Sequence, residues 1–364
     1  MNDIRNKKIV LIGGAGFIGH HLALAMKKVG VDVYIIDSLQ VNNLLSLTKG
    51  KVANRKLYWN MLNQRIELLY EAEINLNVDD ARNYNVLAKL IALIQPDVIV
   101  QLAAVAHANV ANKDPHSTFD HSLRTLENAL DVARDLNARF IYLSSSMVYG
   151  HFNGRAVTEE TECRPLGIYG SLKYAGELIV KAYNQVFDLP YTIIRPSALY
   201  GERCISRRVG QIFIENALQD LDINIQGDGS DALDFTYIDD LTAGIIQIIE
   251  SDRSINETFN LTFGEARTIR ELSEIVRDQF PNIKINYLPK DKFTPDRGTL
   301  NVDKAKKLVG YTPRYPIELG FSKYIGWYKG IWEELNQKKA KLSDDENFDS
   351  RKQKSRQELS PSAL

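Results

Sequence analysis

The chain has 364 residues, 44% hydrophobic and 25% charged, the balance of a globular protein with material for a sizeable core. Lys and Arg total 45 against 46 Asp and Glu, a net charge of −1, so there is no basic excess of the kind that nucleic-acid or membrane-surface binding uses. Two cysteines, Cys163 and Cys204, argue against a disulfide framework or a cysteine metal site and for a reducing, cytoplasmic setting. Residues 1–8 are polar and mixed in charge, unlike a signal peptide, and no apolar run approaches the length of a membrane span.

Lys8–Ile12 is a β-branched run that stops at Gly13-Gly14-Ala15-Gly16-Phe17-Ile18-Gly19. A helical pattern follows, with Ile18, Leu22, Ala25 and Met26 on one side, and residues 32–37 read as a second strand. A glycine turn between strand and helix allows positive φ and close approach of a pyrophosphate, and the helix start offers it free N–H groups. Gly13, Gly16, Phe17, Ile18 and Gly19 are therefore candidate cofactor contacts. Asp37, 18 residues past Gly19 at a strand end, can accept hydrogen bonds from adenosine ribose hydroxyls. It would repel a 2′-phosphate and no Arg follows at once, so NAD is expected over NADP.

From residue 38 to about 77 the pattern blurs, with an amphipathic helix over 60–72. Strands at 97–102, 139–143 and 191–195 then alternate with helices at 119–136 and 169–187. This alternation predicts a parallel sheet with helices on both faces. Beyond Pro196, helices are expected at 211–219, 239–250, 268–280 and 302–309, and short strands at 223–226, 258–262 and 284–288. The fold class is thus α/β, a doubly wound parallel sheet with a smaller mixed α/β lobe. Residues 1–195 and 229–262 are expected to form the cofactor domain and 196–228 and 263–335 the substrate lobe. Residues 336–364, dense in Lys, Glu, Asp, Ser and Gln, read as a disordered charged tail.

Tyr169 and Lys173 stand four apart on an expected helix and share a face. A phenol with an ordinary pKa near 10 needs it lowered by roughly three units, about 4 kcal/mol, to act as a base at neutral pH. A neighbouring ammonium favours the phenolate, and Tyr169 can then move a proton to and from a sugar or alcohol hydroxyl. Leu143-Ser144-Ser145-Ser146-Met147-Val148-Tyr149-Gly150 lies at the C-terminal end of an expected strand, the edge where parallel sheets bind ligands. The bland alternative for the serines is capping of a turn.

Taken in order, the glycine turn, Asp37, Leu102-Ala103-Ala104, the serine run, Tyr169–Lys173, Arg195-Pro196 and Asp234-Phe235-Thr236-Tyr237-Ile238-Asp239-Asp240 resemble the extended short-chain dehydrogenase/reductase family, in its NAD-dependent epimerase/dehydratase branch. The resemblance covers about residues 8–319. It implies a Rossmann domain, tightly held NAD, a C-terminal substrate lobe, a nucleotide-sugar substrate and a homodimer built on the helices at 119–136 and 169–187. It also implies that Ser38, Asp80, Ala81, Leu102, Ala103 and Ala104, with Tyr169 and Lys173, contact the cofactor. Counted back from Val148-Tyr149-Gly150, the catalytic hydroxyl falls on Ser145. Dehydratases of the branch carry Asp-Glu after that residue; here Ser146-Met147 follows, which leaves chemistry needing only a hydride and one proton.

Two positions that bind substrate diphosphate in such proteins are Ala198 and Leu233 here. Arg203, Arg207, Arg208 and Arg297 are the candidates to replace them, since guanidinium groups bind phosphate bidentately. His107, after Leu102-Ala103-Ala104, and Ser146 are further substrate candidates. His121, at a position often Asn in the family, and Cys204 read as ordinary structural residues. The leading expectation is an NAD-dependent nucleotide-sugar epimerase. The alternatives are a dehydrogenase or reductase of the same fold that releases NADH, and a catalytically inert NAD-sensing scaffold, against which Ser145, Tyr169 and Lys173 argue.

Overall fold

The computed structural model describes residues 3–48, 52–105, 108–289 and 295–358. Its centre is a seven-stranded parallel sheet. The strands are β1 (Lys8–Ile12), β2 (Asp32–Ile36), β3 (Asn75–Asn77), β4 (Val98–Gln101), β5 (Arg139–Leu143), β6 (Tyr191–Arg195) and β7 (Glu257–Asn260). Their spatial order is β7-β6-β5-β4-β1-β2-β3, with every neighbouring pair parallel. Chain progression reverses between β1 and β4. That switch point opens a crevice at the C-terminal ends of the strands, where open α/β sheets bind ligands.

Alternate residues of the strands feed two cores, as the period of two requires. Ile9, Leu11, Val98 and Val100 face one side with Leu22 and Met26 of α1 (Phe17–Lys28) and Met61 of α2 (Arg55–Glu71). Val10, Ile12, Ile99 and Phe140 face the other, against Leu87 of α3 (Tyr84–Ile94), Leu130 of α4 (Thr125–Leu136) and Val180 of α5 (Gly167–Phe187). Cover on both faces explains why these strands are continuous apolar runs.

The rest of the chain builds α6 (Val209–Ala217), α7 (Ile238–Ile249), α8 (Ile269–Gln279), α9 (Asp303–Val309) and α10 (Ile317–Glu358). Strand Ile223–Gln226 pairs in parallel with Ile285–Leu288 beside α6 and α8. Thr268 and Glu271 close a reciprocal capping box that starts α8. The α2 helix is tied to this smaller lobe: the Tyr58 hydroxyl donates to the Glu215 carboxylate at 2.8 Å, and Tyr328 of α10 reaches the same group at 3.2 Å.

Several elements differ from the sequence expectation. First, α3 and β3 lie where no element was expected. The apolar residues of α3 include Leu93 on the exposed side, which obscures the helical period, and β3 is a three-residue polar edge strand. Second, the helix expected at 119–136 begins as a π-type turn, Asp120–Arg124, before α4 takes over. The backbone of α10 runs as helix to Glu358, and residues 359–364 lie outside the described ones. Its first turns dock through Phe321, Ile325 and Tyr328, and Lys, Glu and Gln propagate a helix once it is nucleated. Among the described residues no helix is long and apolar enough to cross a membrane, and no His/Cys/Asp/Glu group could hold a metal ion.

Candidate active site

The glycine turn joins β1 to α1 in the crevice. Gly13 has φ +80°, and a Cβ there would lie 2.6 Å from the Ala103 nitrogen at the end of β4. A Cβ on Gly19 would collide with the Gly14 carbonyl, so the helix start sits directly on the turn. A Cβ on Gly16 would meet only the Gly13 carbonyl, at 3.3 Å. Gly13, Gly16, Phe17, Ile18 and Gly19 line one cleft with Asp37 and Ser38, with Asp80 and Ala81, and with Leu102, Ala103 and Ala104.

Asp37 accepts from the Leu39 nitrogen at 2.7 Å and the Ala15 nitrogen at 3.0 Å, which fixes it against the turn while burial pushes its carboxyl up. Asp80 is held at 2.6 Å by Arg82, which also reaches Asp120 at 2.8 Å. An elongated cleft with a bare glycine cradle at its middle and a carboxylate at one side fits the diphosphate and ribose of a dinucleotide.

Beside β4, strand β5 ends in the serine run at the same C-terminal edge of the sheet. Ser145 is nearly buried, and its Oγ accepts from the Met147 nitrogen at 3.2 Å, capping a short helical turn over Ser146–Tyr149. The first turn of α5 rests on this turn: a Cβ at Gly170 would lie 2.8 Å from the Met147 carbonyl oxygen. That contact sets Tyr169 beside the serine turn. Lys173, one turn further along α5, is buried, and its Nζ donates to the Leu143 carbonyl at 2.5 Å. Burial lowers its ammonium to about 8, and Glu177 acts in the opposite direction.

Below this group lies a buried network absent from the sequence reading. Ser144 donates to Glu177 Oε1 at 2.5 Å, and Arg195 clamps Glu177 bidentately at 2.9 and 2.6 Å. Arg195 also donates to the Tyr149 hydroxyl at 2.9 Å, which donates to Asn260 at 2.7 Å. The ends of β5, β6 and β7 are thereby held in register under the serines. The available signal was a carboxylate at i+4 from Lys173 on the inner face of the helix.

The arginine candidates separate. Arg297 donates to the Ser146 hydroxyl at 2.6 Å and the Ser197 hydroxyl at 2.9 Å, so it reaches the serine turn itself. Burial lowers its guanidinium to about 10, and Arg208 acts in the same direction. The segment carrying Arg297 is anchored by Asp234, which accepts from the Leu300 nitrogen and the Thr262 hydroxyl, each at 3.0 Å; burial raises this carboxyl to about 6. Arg208 lines the cofactor cleft. Arg203 turns away instead: its Nε donates to His20 at 3.0 Å on α1. Arg207 lies 3.8 Å from Glu215, which draws it toward the lobe. His107 lies outside the described residues. His121, expected to be structural, lines the cleft from the π-type turn, and burial pushes its imidazolium down. Arg65 and Thr125 also line the cleft, and nothing in the sequence reading singled them out.

The chain is similar to known proteins along most of its length. A Bacillus subtilis protein described as an uncharacterized UDP-glucose epimerase is 28% identical over 338 residues, 90% of this chain and 99% of that protein. UDP-glucuronate 4-epimerase 1 of Arabidopsis thaliana is 28% identical over 345 residues, 88% of this chain and 76% of that one. The crystal structure of UDP-glucuronic acid 4-epimerase from Bacillus cereus, in complex with UDP-glucuronic acid and NAD, superposes with a TM-score of 0.78 at 26% identity, covering 89% of this chain and 99% of that one. The sequence pattern of the NAD dependent epimerase/dehydratase family matches residues 9–262, and the chain belongs to that family.

Proposed function

We propose that the protein is an NAD-dependent nucleotide-sugar epimerase acting at C4 of a UDP-linked hexose or hexuronate. The observation that carries this is that the helix bearing Tyr169 and Lys173 is seated on the serine turn after β5, at the same C-terminal edge of the sheet as the glycine-turn cleft, while the residue after Ser146 is the apolar Met147. A turn without carboxylates has neither the acid nor the base needed to expel water from the sugar. The UDP-sugar names of the related proteins support the substrate class.

The glycine turn would hold the NAD diphosphate, Asp37 the adenosine ribose, and Asp80 and Ala81 the adenine side. Bound there, NAD would supply the hydride acceptor, and then the hydride donor, for the sugar carbon. Ser145 and Tyr169 hold the sugar hydroxyl between them. The Lys173 ammonium favours the phenolate form of Tyr169, which accepts the hydroxyl proton and becomes the phenol. The 4-keto sugar turns over within the cleft. As hydride returns to the opposite face of the carbonyl carbon, the Tyr169 phenol gives the proton back to the sugar oxygen, so that no cofactor would be consumed. Arg297 and Arg208 orient the charged part of the substrate at the mouth of the serine turn.

The family likeness and the chain's surface support a homodimer. Phe119, Leu178 and Val186 are exposed apolar residues on or beside α5 that a second copy would cover. The two described cysteines are free, which supports a cytoplasmic protein. Residues 1–195 and 229–262 serve as the cofactor domain and 196–228 and 263–335 as the substrate lobe. The test is to incubate purified protein with UDP-sugars and follow both products. Formation of the C4 epimer with NAD retained and no NADH accumulating is expected. Stoichiometric NADH would instead assign a dehydrogenase, and no reaction with any UDP-sugar would leave a binding protein.

A further inference from the structure

Arg65 stands on α2, in the connection between β2 and β3 where the sequence pattern blurs, yet it is fully buried and lines the cofactor cleft. Its Nε and Nη2 donate to the Arg203 carbonyl at 3.1 and 2.5 Å, and Nη1 donates to the Asn42 carbonyl at 3.2 Å. A guanidinium has five N–H donors, so one on each terminal nitrogen has no protein acceptor among the described residues. No carboxylate pairs with it among the described residues. Asp37 is within electrostatic reach, but its oxygens are engaged by the Ala15 and Leu39 nitrogens.

The neighbours deepen the excess of positive charge. The Arg203 guanidinium is half-buried; it hydrogen-bonds the His20 and His21 rings at 3.0 and 3.4 Å and lies over the Trp327 ring. Burial and the two arginines keep both imidazoles neutral. A guanidinium shut away from water without a counter-ion is costly by several kcal/mol. The cleft it lines also carries the glycine turn, whose helix start is built to receive an anion.

We propose that Arg65 is a cofactor-binding residue that supplies counter-charge to the dinucleotide diphosphate in the cleft it shares with the glycine turn. This rests on the dinucleotide reading of the cleft given above. The same guanidinium ties the Asn42 loop to the Arg203 loop. Diphosphate binding therefore locks the β2–β3 connection to the start of the substrate lobe, and the connection works as a cofactor clasp.

The test compares NAD, ADP-ribose and adenosine on the full-length chain by calorimetry, together with the NAD content of the protein after gel filtration. Arg65→Gln is expected to weaken ADP-ribose and NAD by about tenfold to a hundredfold, the range of one charge-assisted hydrogen bond, and to leave adenosine within about twofold. Its NAD content should fall below that of wild type. Arg65→Lys, which keeps the charge and the stem, covers the case in which the Gln variant fails to fold; it should weaken ADP-ribose more than adenosine. Equal losses for both ligands, or none, would overturn the inference and leave Arg65 a purely structural tie. A wild-type protein that binds neither NAD nor ADP-ribose would overturn the dinucleotide reading itself, and this inference with it.

Discussion

Gly170 and the Met147 carbonyl are in contact so close that a Cβ at position 170 would come within 2.8 Å of the oxygen. The tyrosine helix and the serine turn are thereby seated as one unit. Gly170→Ala must push them apart by some tenths of an ångström, and proton transfer between fixed groups is sensitive to displacements of that order. Turnover is expected to fall by about tenfold or more while the NAD content of the purified protein stays at the wild-type level. Full activity in the variant would show that this contact does not set the catalytic geometry.

Tyr169→Phe removes the proton carrier and leaves the glycine turn and Asp37 untouched. Turnover should drop by about a hundredfold to ten-thousandfold, the usual worth of general acid–base catalysis. Steady-state rates beside a denaturing release assay for NAD check both halves of the statement.

Lys173 gives a stability signature. Burial lowers its folded-state value from 10.5 to about 8, so between those limits the folded chain binds fewer protons than the unfolded one. Stability from this group therefore rises with pH across that window, by up to about 3 kcal/mol. Lys173→Met lacks the buried charge. The stability of wild type relative to the variant should climb from pH 8 toward pH 10.5, as read by denaturant midpoints at several pH values. A difference that is flat with pH would mean that the ammonium is not penalised in the fold.

Arg297 touches Ser146 and Ser197 rather than a carboxylate, which leaves its charge available to substrate. Arg297→Ala should raise KM by about tenfold to a hundredfold, the range of one charge-assisted contact, with a smaller change in kcat. An unchanged KM for a confirmed substrate would place the anionic group of the sugar nucleotide elsewhere.

The parts of this site that were legible in the sequence are those whose chemistry is local. Lys8–Ile12, residues 139–143 and residues 191–195 are strands buried on both faces, and such strands announce themselves as unbroken apolar runs. The glycine turn and Asp37 are read from spacing alone. The arginines were not separable in this way. Arg203 and Arg207 both adopt left-handed backbone conformations, with φ +61° and +48°, and the local path of the chain carries them away from the cleft that Arg208 lines. Arg65 was hidden for another reason. On an amphipathic helix a charged residue reads as solvent-facing, and only the packing of α2 between sheet and lobe turns it inward. Glu177 was obscured likewise, because its partner Arg195 arrives from a different strand.

The central claim is that a hydride leaves and returns to the same sugar carbon while Tyr169 moves only the hydroxyl proton. The most direct measurement is epimerisation of a UDP-sugar in deuterium oxide, with the product examined by NMR. Conversion at C4 with the original carbon-bound hydrogen retained, no deuterium on the ring and no build-up of NADH is the predicted result. Deuterium at C4, or NADH accumulating in step with an oxidised sugar, would contradict it.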